Sequence, residues 1–295
     1  MKSLKFKNLS PTPLLIVLAV FVFITVPLRV FQLCNCVDPE TGFWAARDFT
    51  VLSVYIICAL FCLVSFFMTF FSGIISKPTF HEEKNIPLGV CTAIFVVGLL
   101  VQSILNVSKV ITIFSSFVAS ETQSLANYLI SSGGLMMVFE IIFGILAAVY
   151  FCFVTISSFT GRNSFQANKL LALTPALWAM FRMIYHFIDP VNFKNVSQLF
   201  LQLIMLAFAS VFFLSFARIA SDIHADKSMW IFWFTGTCAA LFAYVAALAP
   251  FILVITGKGN LIPAAYPLQF SDLGLALFIT SFLFTVTPLT ADVEE

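Results

Sequence analysis

Few residues in this sequence could do chemistry in an apolar setting, and the most suggestive lie in two similar clusters. Arg182, Tyr185, His186 and Asp189 recur at i, i+3, i+4 and i+7, which is one face of a helix. Arg29, Gln32 and Cys36 repeat that pattern more weakly. Each arginine is followed by a helix-breaking Asp-Pro: Asp38-Pro39-Glu40-Thr41-Gly42-Phe43 in the first copy, Asp189-Pro190-Val191-Asn192-Phe193 in the second. Seven Asp and 12 Pro in 295 residues would give about 0.3 Asp-Pro pairs by chance, so two in one context mark an internal repeat. Guanidinium groups facing a polar cavity hold carboxylates, phosphates or lipid head groups. Arg29, Gln32, Arg182, Tyr185 and His186 are therefore candidate ligand contacts. In the plainer alternative the arginines snorkel to the interface, or pair with Asp38 and Asp189 to brace the helix ends. Their place one or two turns from the predicted helix boundaries favours that alternative.

Glu140 lies three to four turns inside an apolar run, too deep for a short carboxylate stem to reach water. It must pair with a cation such as Arg182 or Arg29, bond to a neighbouring helix, or carry a proton, which makes it a candidate proton site. The aligned position in the second half is Thr280. His81-Glu82-Glu83 and Asp222-x-His224-x-Asp226 fall in corresponding loops and contain metal-ligand residue types. Their spacing matches no established metal signature, and charged loops are ordinarily solvated. Ser271-Asp272 reads as a helix start, with Ser271 capping and Asp272 meeting the positive dipole end. The seven cysteines form no C-x-x-C pair, and no H-E-x-x-H, G-x-S-x-G, S-x-x-K or P-loop is present. The sequence thus leans away from an enzyme and implies no cofactor.

The elements that must carry these residues follow from composition. Hydrophobic residues make up 61% and charged residues 10% of the chain. A span needs ~20 apolar residues, and runs of that length recur throughout. The fold class is all-α: a polytopic helical membrane protein with about eight transmembrane helices. They are expected at about 13–33, 49–75, 86–106, 128–159, 169–188, 197–219, 229–256 (kinked at Pro250) and 271–289. Residues 107–127 either lie at the interface or extend the third helix. The two arginine-bearing helices divide the chain into two diverged parallel four-helix repeats, residues 1–160 and 161–295. The first apolar run has a basic flank but no small-x-small cleavage site, and it reads as a retained helix.

Counting Lys and Arg in the loops gives nine on the side of the N-terminus and five on the other. Both termini are therefore expected to be cytoplasmic, with both Asp-Pro loops outside. The net charge of +1 offers no basic face for nucleic acid. The surplus of 37 Phe fits packing and lipid contact better than ligand recognition.

The Arg…Gln…Asp-Pro-Glu-Thr-Gly-Phe stretch and Ala176-Leu177-Trp178-Ala179-Met180-Phe181-Arg182 resemble uncharacterised multi-pass membrane proteins of Firmicutes-type bacteria. The resemblance extends over most of the chain, implies a cytoplasmic (cell) membrane location, and carries no assigned activity. Two function classes remain. One binds or transports a small anionic solute or lipid through an outward-facing polar cavity. The other is a structural or assembly membrane protein without a ligand.

Overall fold

The computed structural model describes residues 11–45, 49–71, 84–117, 124–161, 168–188, 197–221, 229–263 and 267–286. In hydrocarbon each backbone N–H and C=O must be satisfied within its own segment, so the apolar runs fold as helices. In chain order these are α1 (Thr12–Asn35), α2 (Phe49–Phe71), α3 (Ile86–Ser115), the short α4 (Leu125–Ser131), α5 (Gly134–Thr160) and α6 (Thr174–Ile188). They are followed by α7 (Ser197–Ala220), α8 (Met229–Ala243), α9 (Ala249–Ile255) and α10 (Phe270–Val286). Among the described residues, seven helical stretches are long and apolar enough to cross a membrane, and α10 is a further apolar helix of 17 residues. The chain is a multi-pass integral membrane protein of all-α class.

The structure fills in two sequence-based expectations and departs from a third. The third helix continues to Ser115 and so takes up 107–115 of the ambiguous segment, one of the two readings given for it. The expected helix 128–159 is divided into α4 and α5, because Gly133 takes a left-handed φ of 73° that a helix cannot contain. The kink expected at Pro250 takes the form of a π-helical turn, Tyr244–Leu248, joining α8 to α9. Proline has no N–H to give the carbonyl four residues earlier, here Ala246, so the ladder must open at this point.

α3 packs on α5 and α10, α5 on α6, α6 on α7, α7 on α8, and α2 on both α1 and α8. Two glycines allow the α3–α10 approach. A Cβ on Gly274 would lie 2.6 Å from the Phe95 Cα, and one on Gly98 would lie 2.8 Å from the Phe270 carbonyl oxygen. Around that crossing Phe95, Phe151, Phe213 and Phe278 pack ring against ring, with centroids 4.7 to 6.4 Å apart. Phenylalanines from α3, α5, α7 and α10 thus meet in one core shared by both halves of the chain. At the far end of α3, Asn85 caps the helix by accepting from the Leu88 N–H at 2.9 Å. Its amide also donates to Thr285 Oγ1 at 2.9 Å, tying α3 to α10 there. Between α2 and α8, the Ser65 and Thr237 hydroxyls bond at 2.9 Å.

A second, smaller apolar cluster lies apart from the main core. Val26, Leu33 and Val37 pack there with Ala249 and Leu253, so the end of α1 and the loop after it rest on α9.

Candidate functional site

Among the described residues, four charged side chains on the apolar helices are almost entirely buried: Arg29 and Arg182 are each 1% exposed, Asp272 1% and Glu140 3%. Neither arginine snorkels. The bundle draws these groups into two clusters, one around each arginine.

Arg182 projects from α6 toward the first turn of α10. Its Nη1 lies 2.6 Å from Asp272 Oδ1 and its Nη2 3.0 Å from Oδ2, a bidentate ion pair. Nη1 also donates to the Ser271 hydroxyl at 3.3 Å, Nη2 donates to Gln269 Oε1, and the guanidinium sits 5.4 Å from the Trp178 ring centre. The reading of Asp272 as a first-turn residue holds, and the structure adds a partner to it. Its carboxylate is bound to a cation 90 residues away in sequence. The close α3–α10 crossing at Gly98 and Gly274 brings Ser271 and Asp272 to that position. Removing one partner of such a buried pair typically costs about 3–5 kcal/mol.

Glu140 bonds to a neighbouring helix, one of the three alternatives its depth in the apolar run left open. Its Oε1 accepts from Asn106 Nδ2 on α3 at 2.9 Å, and the Asn106 carbonyl oxygen accepts from Gln102 at 3.0 Å. Glu140 still feels the field of Arg182, Asp272 and Lys109. His186, one turn beyond Arg182, is also buried, and its Nε2 has no hydrogen-bond partner among the described residues. Tyr185 is half-buried and packs over the Gly133 turn, where an added Cβ would come within 3.1 Å of its ring.

Arg29 is built into the other cluster. Its Nη1 donates to Gln32 Oε1 at 3.1 Å, its Nη2 donates to Gln198 Oε1 on α7 at 3.2 Å, and its guanidinium stands 5.7 Å from the Trp44 ring centre. Gln32 in turn donates to the Thr50 carbonyl at the start of α2, at 2.5 Å. The expected bracing by Asp38 does not occur. Asp38 is half-buried, and its carboxylate accepts from Thr41 Oγ1 at 2.5 Å and from the Glu40 N–H at 3.2 Å. With Gly42 at φ 73° and a Val37–Trp44 bridge, Asp38 closes the Asp-Pro loop on itself. Pro39 and Phe43 belong to that loop rather than to either cluster.

The link between the clusters is a pair of residues the sequence reading did not single out. Gln198 and Gln202 lie one turn apart on α7 and face the same way. Gln198 accepts from Arg29, while Gln202 Nε2 approaches Asp272 Oδ2 at 3.4 Å. Asn106, Gln102 and Gln269 were likewise not identified. The available signal was a polar i, i+4 pair within an apolar run (Gln198/Gln202, and Gln102/Asn106). The second Asp-Pro element (Asp189, Pro190) and the loop residues His81, Glu82, Asp222, His224 and Asp226 lie outside the described residues. Among the described residues no group of three or more His, Cys, Asp or Glu is placed to hold a metal.

Grooves between the helices are apolar. One of ≈ 750 Å³ lies between α2, α6 and α7, lined by Tyr55, Met183, Phe187, Phe200, Leu203 and Ala207. A scan against protein-family models, a search of curated proteins and a search of solved structures each returned no match.

Proposed function

We propose that this protein binds, and by alternating its helix packing moves, a small anionic solute or lipid, with the Arg182 cluster as its binding centre. The observation behind this reading is the burial of Arg29, Glu140, Arg182 and Asp272 inside a bundle of apolar helices. Charge in that position is costly to maintain and marks solute or ion pathways far more often than surface charge does. Asp272 occupies the arginine fork in this conformation as an internal carboxylate, the same chemistry a ligand carboxylate or phosphate would present. A ligand would displace Asp272 from Arg182. Gln269, Ser271 and Gln202 are then available to accept or donate at the rim.

A second reading has its own support. The bidentate pairing of Arg182 with Asp272 is also what a brace between α6 and α10 would look like, as a structural or assembly protein requires. The two readings separate in an Arg182→Met/Asp272→Leu double variant. Replacing both members of a buried pair by apolar residues is often neutral for stability. Thermal unfolding in detergent would be run for wild type and the double variant against panels of anionic metabolites and phospholipids. A true ligand at a hundredfold excess over its Kd stabilises by about 2.7 kcal/mol. Binding predicts that one compound class raises the wild-type Tm and leaves the double variant unmoved. A double variant as stable as wild type, with neither protein responding to any panel member, would overturn the binding reading.

A further inference from the structure

The Gln198 side chain ties Arg29 to the π-turn after α8, a connection that the binding reading leaves unused. It accepts from Arg29 through Oε1 at 3.2 Å and donates through Nε2 to the Ala246 carbonyl at 2.7 Å. The orientation of the amide is forced. A guanidinium can only donate and a carbonyl can only accept, so the oxygen must face Arg29 and the nitrogen Ala246. Pro250 cannot give the Ala246 carbonyl the i+4 donor of an α-helix, and that carbonyl lies inside the π-turn between α8 and α9.

Beyond that turn the packing changes. α8 belongs to the main core, whereas Ala249 and Leu253 of α9 pack with Val26, Leu33 and Val37 in the separate cluster at the end of α1. The chain then leaves α9 through Gly257 at φ 73°, with the Lys258 N–H returning to the Leu253 carbonyl at 2.8 Å. A short helix with its own small core, joined to the bundle through a broken hydrogen-bond ladder, is a unit able to move alone.

We propose that Gln198 is a positioning residue that couples Arg29 to the α9 segment. It serves as the missing donor for Ala246 only while Arg29 holds its amide in register. When Arg29 turns to another acceptor, the Gln198 amide is released, the Ala246 carbonyl loses its donor, and α9 with residues 256–261 loosens about the Tyr244–Pro250 turn. The coupling itself stands on geometry. That an anionic ligand supplies the other acceptor rests on the function proposed above.

The test needs no ligand. Amide hydrogen exchange by mass spectrometry would follow the peptide covering 249–261 in the full chain, in detergent. Gln198→Leu is expected to speed exchange there on the order of tenfold, the factor carried by one net hydrogen bond. Pro250→Ala restores an N–H that can reach Ala246, so the Gln198→Leu/Pro250→Ala double should return to the wild-type rate. Arg29→Gln should speed the same peptide. A wild-type rate in Gln198→Leu overturns the proposal. So does a double variant exchanging as fast as the single. If Gln198→Leu does not fold, recovery of folding in the double supports the coupling and continued failure refutes it. Because the readout contains no ligand, the coupling can hold while the binding reading fails, and the reverse.

Discussion

Among the individual residues, the buried carboxylates differ in what they hold. Asp272 neutralises Arg182, so Asp272→Asn leaves a guanidinium buried against a neutral amide, and a loss of about 3 kcal/mol is expected. Glu140 accepts from an asparagine, a role that a glutamine oxygen can take over. Glu140→Gln should cost under about 1 kcal/mol, whereas Glu140→Leu strands the Asn106 amide and should cost about 1–3 kcal/mol. SDS titration of the folded fraction ranks the three. An Asp272→Asn loss no larger than that of Glu140→Gln would mean the ion pair contributes little. In the loop outside the spans, the Thr41 hydroxyl, and after it the Glu40 N–H, hold the Asp38 carboxyl below its ordinary pKa. A depressed folded-state pKa means the loop's contribution is present above the unfolded value and is lost as pH falls through the folded one. Thr41→Val should raise the Asp38 pKa in an NMR titration. An unmoved titration would show that the hydroxyl is not the cause.

Among the elements, the α3–α10 crossing decides where Asp272 sits. A methyl group on Gly274 would have to occupy space 2.6 Å from a backbone atom of α3, which cannot yield as a flexible side chain can. Gly274→Ala should therefore cost about 1–3 kcal/mol by overpacking and draw Asp272 away from Arg182. Gly257→Ala is the contrast, since nothing stands within 4 Å of its Cβ and only the left-handed φ is strained. It should cost about 1 kcal/mol and leave the ion pair alone. Equal losses in the two variants would mean that helix approach is not what Gly274 provides. The positions of the helices were legible in the sequence because hydrocarbon leaves the backbone no alternative. Of their breaks, the one at Pro250, which removes a donor, was legible, and the one at Gly133, which takes a positive φ, was not. The partner of Arg182 was not legible. Asp272 satisfied a local rule as a first-turn acid, and nothing in a hydropathy profile says which helix lies across from it. Gln198 and Gln202 were visible as a spaced pair, but an uncharged amide carries no sign from which to infer its partner.

For the whole molecule, the question is whether the two four-helix halves suggested by the repeated Arg and Asp-Pro stretches are units of folding. Their contacts argue for joint folding. α3 packs on α10 and α2 on α8, so each half buries part of its apolar surface only against the other. Phe95 and Phe151 of the first half meet Phe213 and Phe278 of the second in one ring cluster, and the charged clusters are divided the same way. Arg29 of the first half reaches Gln198 of the second. A half alone would expose that surface to lipid, which tolerates it, but would also leave buried polar groups without partners, which lipid does not tolerate. Residues 1–160 and 161–295 expressed separately should therefore be degraded or aggregate, while co-expressed halves should copurify as one complex with the thermal transition of the intact chain. The cut at residue 160 falls at the end of α5 and breaks no helix, so a failure of the co-expressed halves to assemble could not be blamed on a severed element. Either half purifying alone as a stable, monodisperse species would show that the shared core is an interface between two finished units, and the repeat would then be the primary architecture.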